Sequence, residues 1–140
     1  MTPGDAGQAR AIVAEIGDLS SGRVHVFADL VVFLGATPAE AAGRQARLDE
    51  LAGCAFASDA AVVTGTPAQL AGLLLDWQRA GLTGFRLRPG AIPGDLEAIT
   101  RGLVPELRQR GAFRTGYEAG TLRGRLGLGR PASRYASVRS

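Results

Sequence analysis

The spacing of apolar positions changes several times along the chain, and each change marks an element. Residues 8–16 place Ile12, Val13 and Ile16 at helical intervals, before a turn over Asp18 to Gly22. Val24 to Leu34 is then apolar and β-branched for most of its length, broken by Asp29 and ended by Gly35. Such a run suits a strand covered on both faces, as in parallel sheets. Thr37-Pro38-Ala39-Glu40 combines a capping threonine, a proline at the first helical position and a glutamate three residues on. It predicts a helix to about Ala52, stopped by Gly53.

The device repeats. Ala60 to Thr64 is a short apolar run, and Thr66-Pro67-Ala68-Gln69 forms a second capping box. The helix it opens, Pro67 to Ala80, gathers Leu70, Leu73, Leu74 and Trp77 on one face, with Gly81 as its stop. Gly84-Phe85-Arg86-Leu87-Arg88 alternates apolar and basic side chains, as a strand does, and Pro89-Gly90 ends it. A last helix spans about Gly94 to Arg110, and Pro105 should kink or split it. Residues 111–140 show no sustained period and read as an extended, Arg-rich tail.

Alternating strands and helices imply an α/β fold with a parallel sheet. Two or three strands are few for such a sheet, since an isolated patch leaves open edges and an uncovered face. The pattern therefore predicts an incomplete unit over residues 1–111, with residues 112–140 packing on its helical layer. Phe113, Tyr117, Leu122 and Leu126 are the expected anchors of that tail, with the arginines at the rim.

Composition adds limits. The 140 residues are 46% hydrophobic, which fits one compact domain rather than a disordered chain. All sixteen basic side chains are arginine, and they are unevenly placed. Residues 1–60 carry four Arg against eight acids, and residues 101–140 carry nine Arg against two. A basic tail can bind nucleic acid or an anionic membrane, or pack its guanidinium groups on acidic patches of the same protein; the last is the expectation. The aromatic residues are scattered, including Tyr135, and no nucleic-acid motif accompanies them. Cys54 is alone, which rules out an internal disulfide and a cysteine metal cluster, and a small packed side chain is expected there. With no secretory signal at Met-Thr-Pro-Gly-Asp and no run of 18 apolar residues, a cytoplasmic protein that spans no membrane is expected.

From Thr64 onward an ordered series of motifs becomes recognisable. It runs Thr-Gly-Thr-Pro-Ala-Gln-Leu-Ala, Leu-Leu-Leu-Asp-Trp, and Ala-Gly-Leu-Thr-Gly-Phe-Arg-Leu-Arg-Pro. Val104-Pro105-Glu106-Leu107-Arg108-Gln109-Arg110-Gly111, Phe113-Arg114, Tyr117 and Thr121-Leu122-Arg123 with Leu126-Gly127-Leu128 follow. Together with the earlier Val-Val-Phe-Leu-Gly and Thr-Pro-Ala-Glu-Ala, the series resembles the C-terminal end of luciferase-like flavin monooxygenases. The nitrilotriacetate and dibenzothiophene-sulfone branch is the most similar. The resemblance covers about residues 8–136. It implies a (β/α)8 barrel that binds reduced flavin mononucleotide (FMN) at the C-terminal strand ends and uses oxygen to oxidise a small organic substrate. A separate flavin reductase often supplies the reduced flavin in this family.

On this resemblance the chain supplies the last two barrel strands, Val24–Leu34 and Gly84–Arg88, and Ala60–Thr64 need not be a barrel strand. The Ser- and Gly-rich loop that holds much of the flavin phosphate, and most residues facing the flavin ring, precede the matched segment in the family. No catalytic residue is therefore carried over. FMN is the cofactor expected of the complete enzyme and not of this chain alone, which is expected to associate with itself or with the missing part of the barrel.

The residues suggest few sites of their own. Arg86 and Arg88 share one side of their strand, and Arg88 lies nearer the C-terminal end where barrel chemistry sits. It is placed to meet a phosphate or carboxylate bidentately, or to form a structural ion pair with Asp95 or Glu97. His25 is a general-base candidate without metal-ligating neighbours. The two helix starts at Thr37 and Thr66 offer amides to an anion, but the threonine caps compete for them. Asp29 is either a barrel-facing carboxylate or a water-facing edge residue.

Overall fold

In the computed structural model, residues 2–133 are described except 23, 118 and 119. Tyr135 and the last residues of the tail lie outside that range. The elements are α1 (Ala6–Leu19), β1 (Phe27–Leu34), α2 (Pro38–Ala52), β2 (Ala61–Gly65), α3 (Pro67–Arg79), β3 (Gly84–Pro89), α4 (Gly94–Glu97), a π-helical segment (Ala98–Leu103), α5 (Val104–Gln109) and α6 (Leu122–Arg125). The three strands form one parallel sheet in the order β2-β1-β3.

Local chemistry accounts for the boundaries. Thr37 and Thr66 each accept the amide three residues on, and Gln69 returns a bond to the Thr66 amide, closing the second capping box. Gly81 ends α3 with φ 108, and a side chain there would also meet Val13 of α1. β1 starts at Phe27 rather than Val24, which leaves Val24 and His25 exposed before the sheet. Pro105 does split the last helix. It sits at the start of α5, behind a π turn in which the Val104 amide reaches back to the Ile99 carbonyl. The wider turn accommodates a residue that lacks an amide of its own.

The sheet has two different faces. Ala28, Leu30, Val32 and Leu34 pack against Leu70, Ala71, Leu74 and Trp77 of α3, with Ala9, Leu103 and Leu107 closing the cluster. The other face presents Asp29, Val31 and Phe33, joined there by Arg86 and Arg88. Phe33 meets Phe56 edge to face at 5.4 Å. Thr64 is in register with Phe33 and bonds Gln45, so α2 reaches this second face.

That arrangement follows from connection geometry. The path from β1 to β2 moves one way across the sheet, and the path from β2 to β3 moves back past β1. Right-handed crossovers in opposite directions lay their helices on opposite faces. A (β/α)8 barrel keeps its helices on one side. The adjacent pair β1 and β3, with α3 behind them, fits that plan. The α2–β2 unit is an excursion from it, although Ala61–Gly65 is a full strand paired along Leu30–Leu34.

The tail departs from expectation. Phe113 packs against the core, but Tyr117, Leu122 and Leu126 are 60%, 73% and 63% exposed and belong to no hydrophobic cluster of the described residues. Here the arginines cover the aromatics: Arg114 stacks on Phe113 and Tyr117, and Arg125 on Tyr117, at 4.4–4.9 Å from the ring centres. Cys54 is exposed as well, because it follows the Gly53 stop into a loop with no buried residue before Ala60.

Candidate functional site at the C-terminal strand ends

Three ion pairs line the sheet. Arg86 of β3 bonds Asp29 of β1, its partner in register, on the sheet face away from α3. Arg88 pairs with Asp59 at 2.7 Å and bonds Ser58 at 2.8 Å. The expected pairing of Arg88 with Asp95 or Glu97 does not form. Arg88 points to the Phe33 face, where the α2–β2 loop supplies Asp59, whereas Asp95 is turned under the end of β1.

Asp95 is fully buried. One carboxylate oxygen accepts the Leu34 amide at 2.8 Å, and the other accepts the Ala91 amide at 2.8 Å. Arg44 of α2 bonds the same carboxylate at 3.2 Å and also donates to the Leu34 carbonyl. The pair thus takes both backbone groups of Leu34, just beyond the point where β3 leaves β1. Sequence reasoning missed Arg44 altogether and cited Asp95 only as a partner for Arg88. Arg44 lies on a polar helix face with no periodic signal, and the only hint of Asp95's role is its place in a Pro-Gly-Asp turn after a strand.

Between the ends of β1 and β2 lies an open crevice of about 550 Å³. Its walls carry Glu40, Arg44, Glu97 and Arg101, with Gly35 and Gly94 among them. Arg86 and Arg88 line no part of it. A flavin does not fit these residues by themselves. The threonine caps of α2 and α3 each take one first-turn amide, two carboxylates oppose a phosphate, and no aromatic side chain lines the crevice. Among the described residues, no three side chains of metal-ligating type come together, and no helix is long and apolar enough to cross a membrane. His25 is exposed and belongs to none of the pairs described above.

No protein-family model matches the chain. It is 40% identical over 76 residues to the N-acetyl-S-(2-succino)cysteine monooxygenase of Bacillus subtilis (strain 168), covering 54% of this chain and 17% of the relative. It is 40% identical over 75 residues to nitrilotriacetate monooxygenase component A of Aminobacter aminovorans, with 53% and 17% covered. Its relatives are luciferase-like flavin monooxygenases. Two solved structures share the fold of this chain. Long-chain alkane monooxygenase (LadA) matches with a TM-score of 0.68 at 23% identity, over 88% of this chain and 39% of that one. DmoA from Hyphomicrobium sulfonivorans matches with a TM-score of 0.69 at 21% identity, over 89% and 40%. The chain therefore spans about a sixth of the length of the curated luciferase-like relatives it matches.

The Arg88–Asp59 pair gives a pH prediction. The hydrogen bond from Arg88, and then its charge, hold the Asp59 carboxyl below the usual carboxylate range. A depressed carboxyl contributes stability above its unfolded value and loses it as pH falls through the folded one. Arg88→Gln is expected to raise the Asp59 titration toward the ordinary carboxylate range, as read from carboxyl-carbon NMR. An unchanged titration would show that the pair does not persist in solution.

Proposed function

We propose that this sequence is the C-terminal part of a luciferase-like, FMN-dependent monooxygenase, in which β1 and β3 serve as the last two strands of a (β/α)8 barrel. The observation that carries the reading is the adjacent parallel pair β1–β3 with α3 packed behind it, in a chain whose relatives are monooxygenases. The complete enzyme would use reduced FMN and oxygen on a small organic substrate, with a flavin reductase as the electron source. This segment contributes barrel wall and helical cover. Flavin placement falls to the rest of the barrel, so the chain alone is inactive.

Titration of the purified chain with oxidised and reduced FMN tests this division of labour. Binding too weak to saturate at micromolar flavin is expected, because the described strand ends offer neither a phosphate cradle nor a ring wall. Stoichiometric micromolar binding would overturn it. A second reading, a non-catalytic remnant that self-associates or docks on a full barrel, draws support from the open edge of β3 and the apolar groove along it.

A further inference from the structure

We propose that the crevice between the C-terminal ends of β1 and β2 binds a small zwitterion, a molecule carrying a carboxylate and a protonated amine. The inference rests on the sheet topology and the side chains of the crevice, and is independent of the flavin reading. Adjacent parallel strands whose following helices go to opposite faces leave a gap at their carboxyl ends, and ligands of open α/β sheets bind in that gap. β1 leads into α2, on the Phe33 face, and β2 leads into α3, on the Leu30 face. The crevice lies at that divergence, between Leu34-Gly35 and Pro67.

Its charges match a net-neutral ligand. Among the described residues, both side-chain hydrogen bonds of Arg44 run from Nη1. Nη2 lies beside Gly94, where a side chain would come within 3.3 Å of it. Arg101 lines the same space and, among the described residues, makes no hydrogen bond or ion pair. Glu97 is four residues before Arg101, a spacing that pairs opposite charges on an α-helix. Here the chain between them enters the π segment, whose wider turn breaks that spacing, and the two side chains do not pair. Both signs are therefore presented to one crevice unpaired: Arg101 and Arg44 Nη2 toward a carboxylate, Glu97 toward an ammonium. Asp95 offsets Arg44 from below, and the Glu40 carboxylate is drawn to the Ala36 amide. A phosphate dianion would face the Glu97 carboxylate, and a simple amine would face the Arg101 guanidinium. π-helical turns of this kind recur at functional sites.

The test is an NMR titration of the isotope-labelled full chain with L-glutamine, followed at the amides of Gly35, Gly94 and Gly102. Saturable shifts at these three positions are expected, with acetate, methylammonium and inorganic phosphate each binding more weakly. Arg101→Gln and Glu97→Gln are each expected to weaken binding about tenfold, as loss of one charge-assisted contact would. Both residues are exposed, so both variants should fold, and Arg10→Gln on α1 serves as a distant control. Gly94→Val, which fills the space beside Arg44 Nη2, should also abolish the shifts. Linear, non-saturating shifts would overturn the site. Phosphate or acetate binding as tightly as glutamine, with no response to Glu97→Gln, would overturn the class of ligand.

Discussion

Asp95→Ala is expected to destabilise the chain by about 2–5 kcal/mol, chiefly the cost of orphaning two backbone amides that donate to its carboxylate. The wild-type carboxylate is closed from water and receives two backbone amides and a guanidinium. Alanine would leave the Leu34 and Ala91 amides without acceptors at the centre of the sheet's carboxyl end. Each orphaned buried donor costs about 1–3 kcal/mol. Arg44 would lose its counter-charge but retain water, because its side chain is 33% exposed. Asp95→Asn should recover part of the loss, since its amide oxygen can still accept one of the two amides. Arg44→Met should cost less than Asp95→Ala, because Asp95 keeps both amide donors. Denaturant titration of the three variants measures this order. A loss below about 1 kcal/mol for Asp95→Ala, within the range of an ordinary surface change, would mean that water replaces the carboxylate.

Elements with local signals were legible in the sequence. The Thr37 cap and the Thr66 capping box fix the starts of α2 and α3, with Glu40 reaching the Ala36 amide rather than closing a box, and Gly53 and Gly81 fix their stops, because caps act on neighbouring backbone groups. Pro105 announced the break in the last helix for the same reason. The Arg86/Arg88 side of β3 followed from strand alternation. Pairing across the sheet was not legible. Asp29 with Arg86, Asp59 with Arg88 and Arg44 with Asp95 are separated by 29 to 57 residues, and only the folded register brings them together. The tail anchors were not legible because an apolar residue is buried only where a partner surface exists, and Tyr117, Leu122 and Leu126 stay exposed. Tyr117 instead meets the guanidinium groups of Arg114 and Arg125.

The candidate site was the least legible part. Attention to Arg88 followed the rule that barrel chemistry lies at carboxyl strand ends, and Arg88 does lie near that end of β3. It turns, however, toward the α2–β2 loop, which no sequence period describes. The residues that do meet, Arg44, Glu97 and Arg101, come from a polar helix face, a four-residue helix and a π turn. None of these carries a motif, and their convergence depends on α2 and α3 leaving the sheet on opposite faces.

Self-association is the second large effect expected. β3 is an edge strand, paired only with β1 among the described residues. The Gly90 amide bonds the Val32 carbonyl, so by the alternation of a parallel ladder the backbone groups of Arg86 and Arg88 face β1, and those of Phe85 and Leu87 face away from it. Unpaired groups in such a row are a template for another strand. Beside them runs an apolar groove of about 660 Å³, with Phe27, Leu75, Phe85 and Leu87 among its walls. Phe27 is 64% exposed, its ring lying over Gly84 where a side chain could not fit. Covering a large apolar side chain contributes about 1.5–3 kcal/mol, a sizeable share of a typical stability of about 5–15 kcal/mol. The purified chain should therefore show a mass that rises with concentration in light scattering, through this edge. Phe27→Lys should weaken the association about tenfold or more, equivalent to at least ~1.4 kcal/mol, by placing a charge in the groove. Because Phe27 is largely exposed, the variant should keep its fold, which circular dichroism can check independently. A cooperatively folded monomer at high concentration would show instead that β3 and its groove are stable in water without a partner.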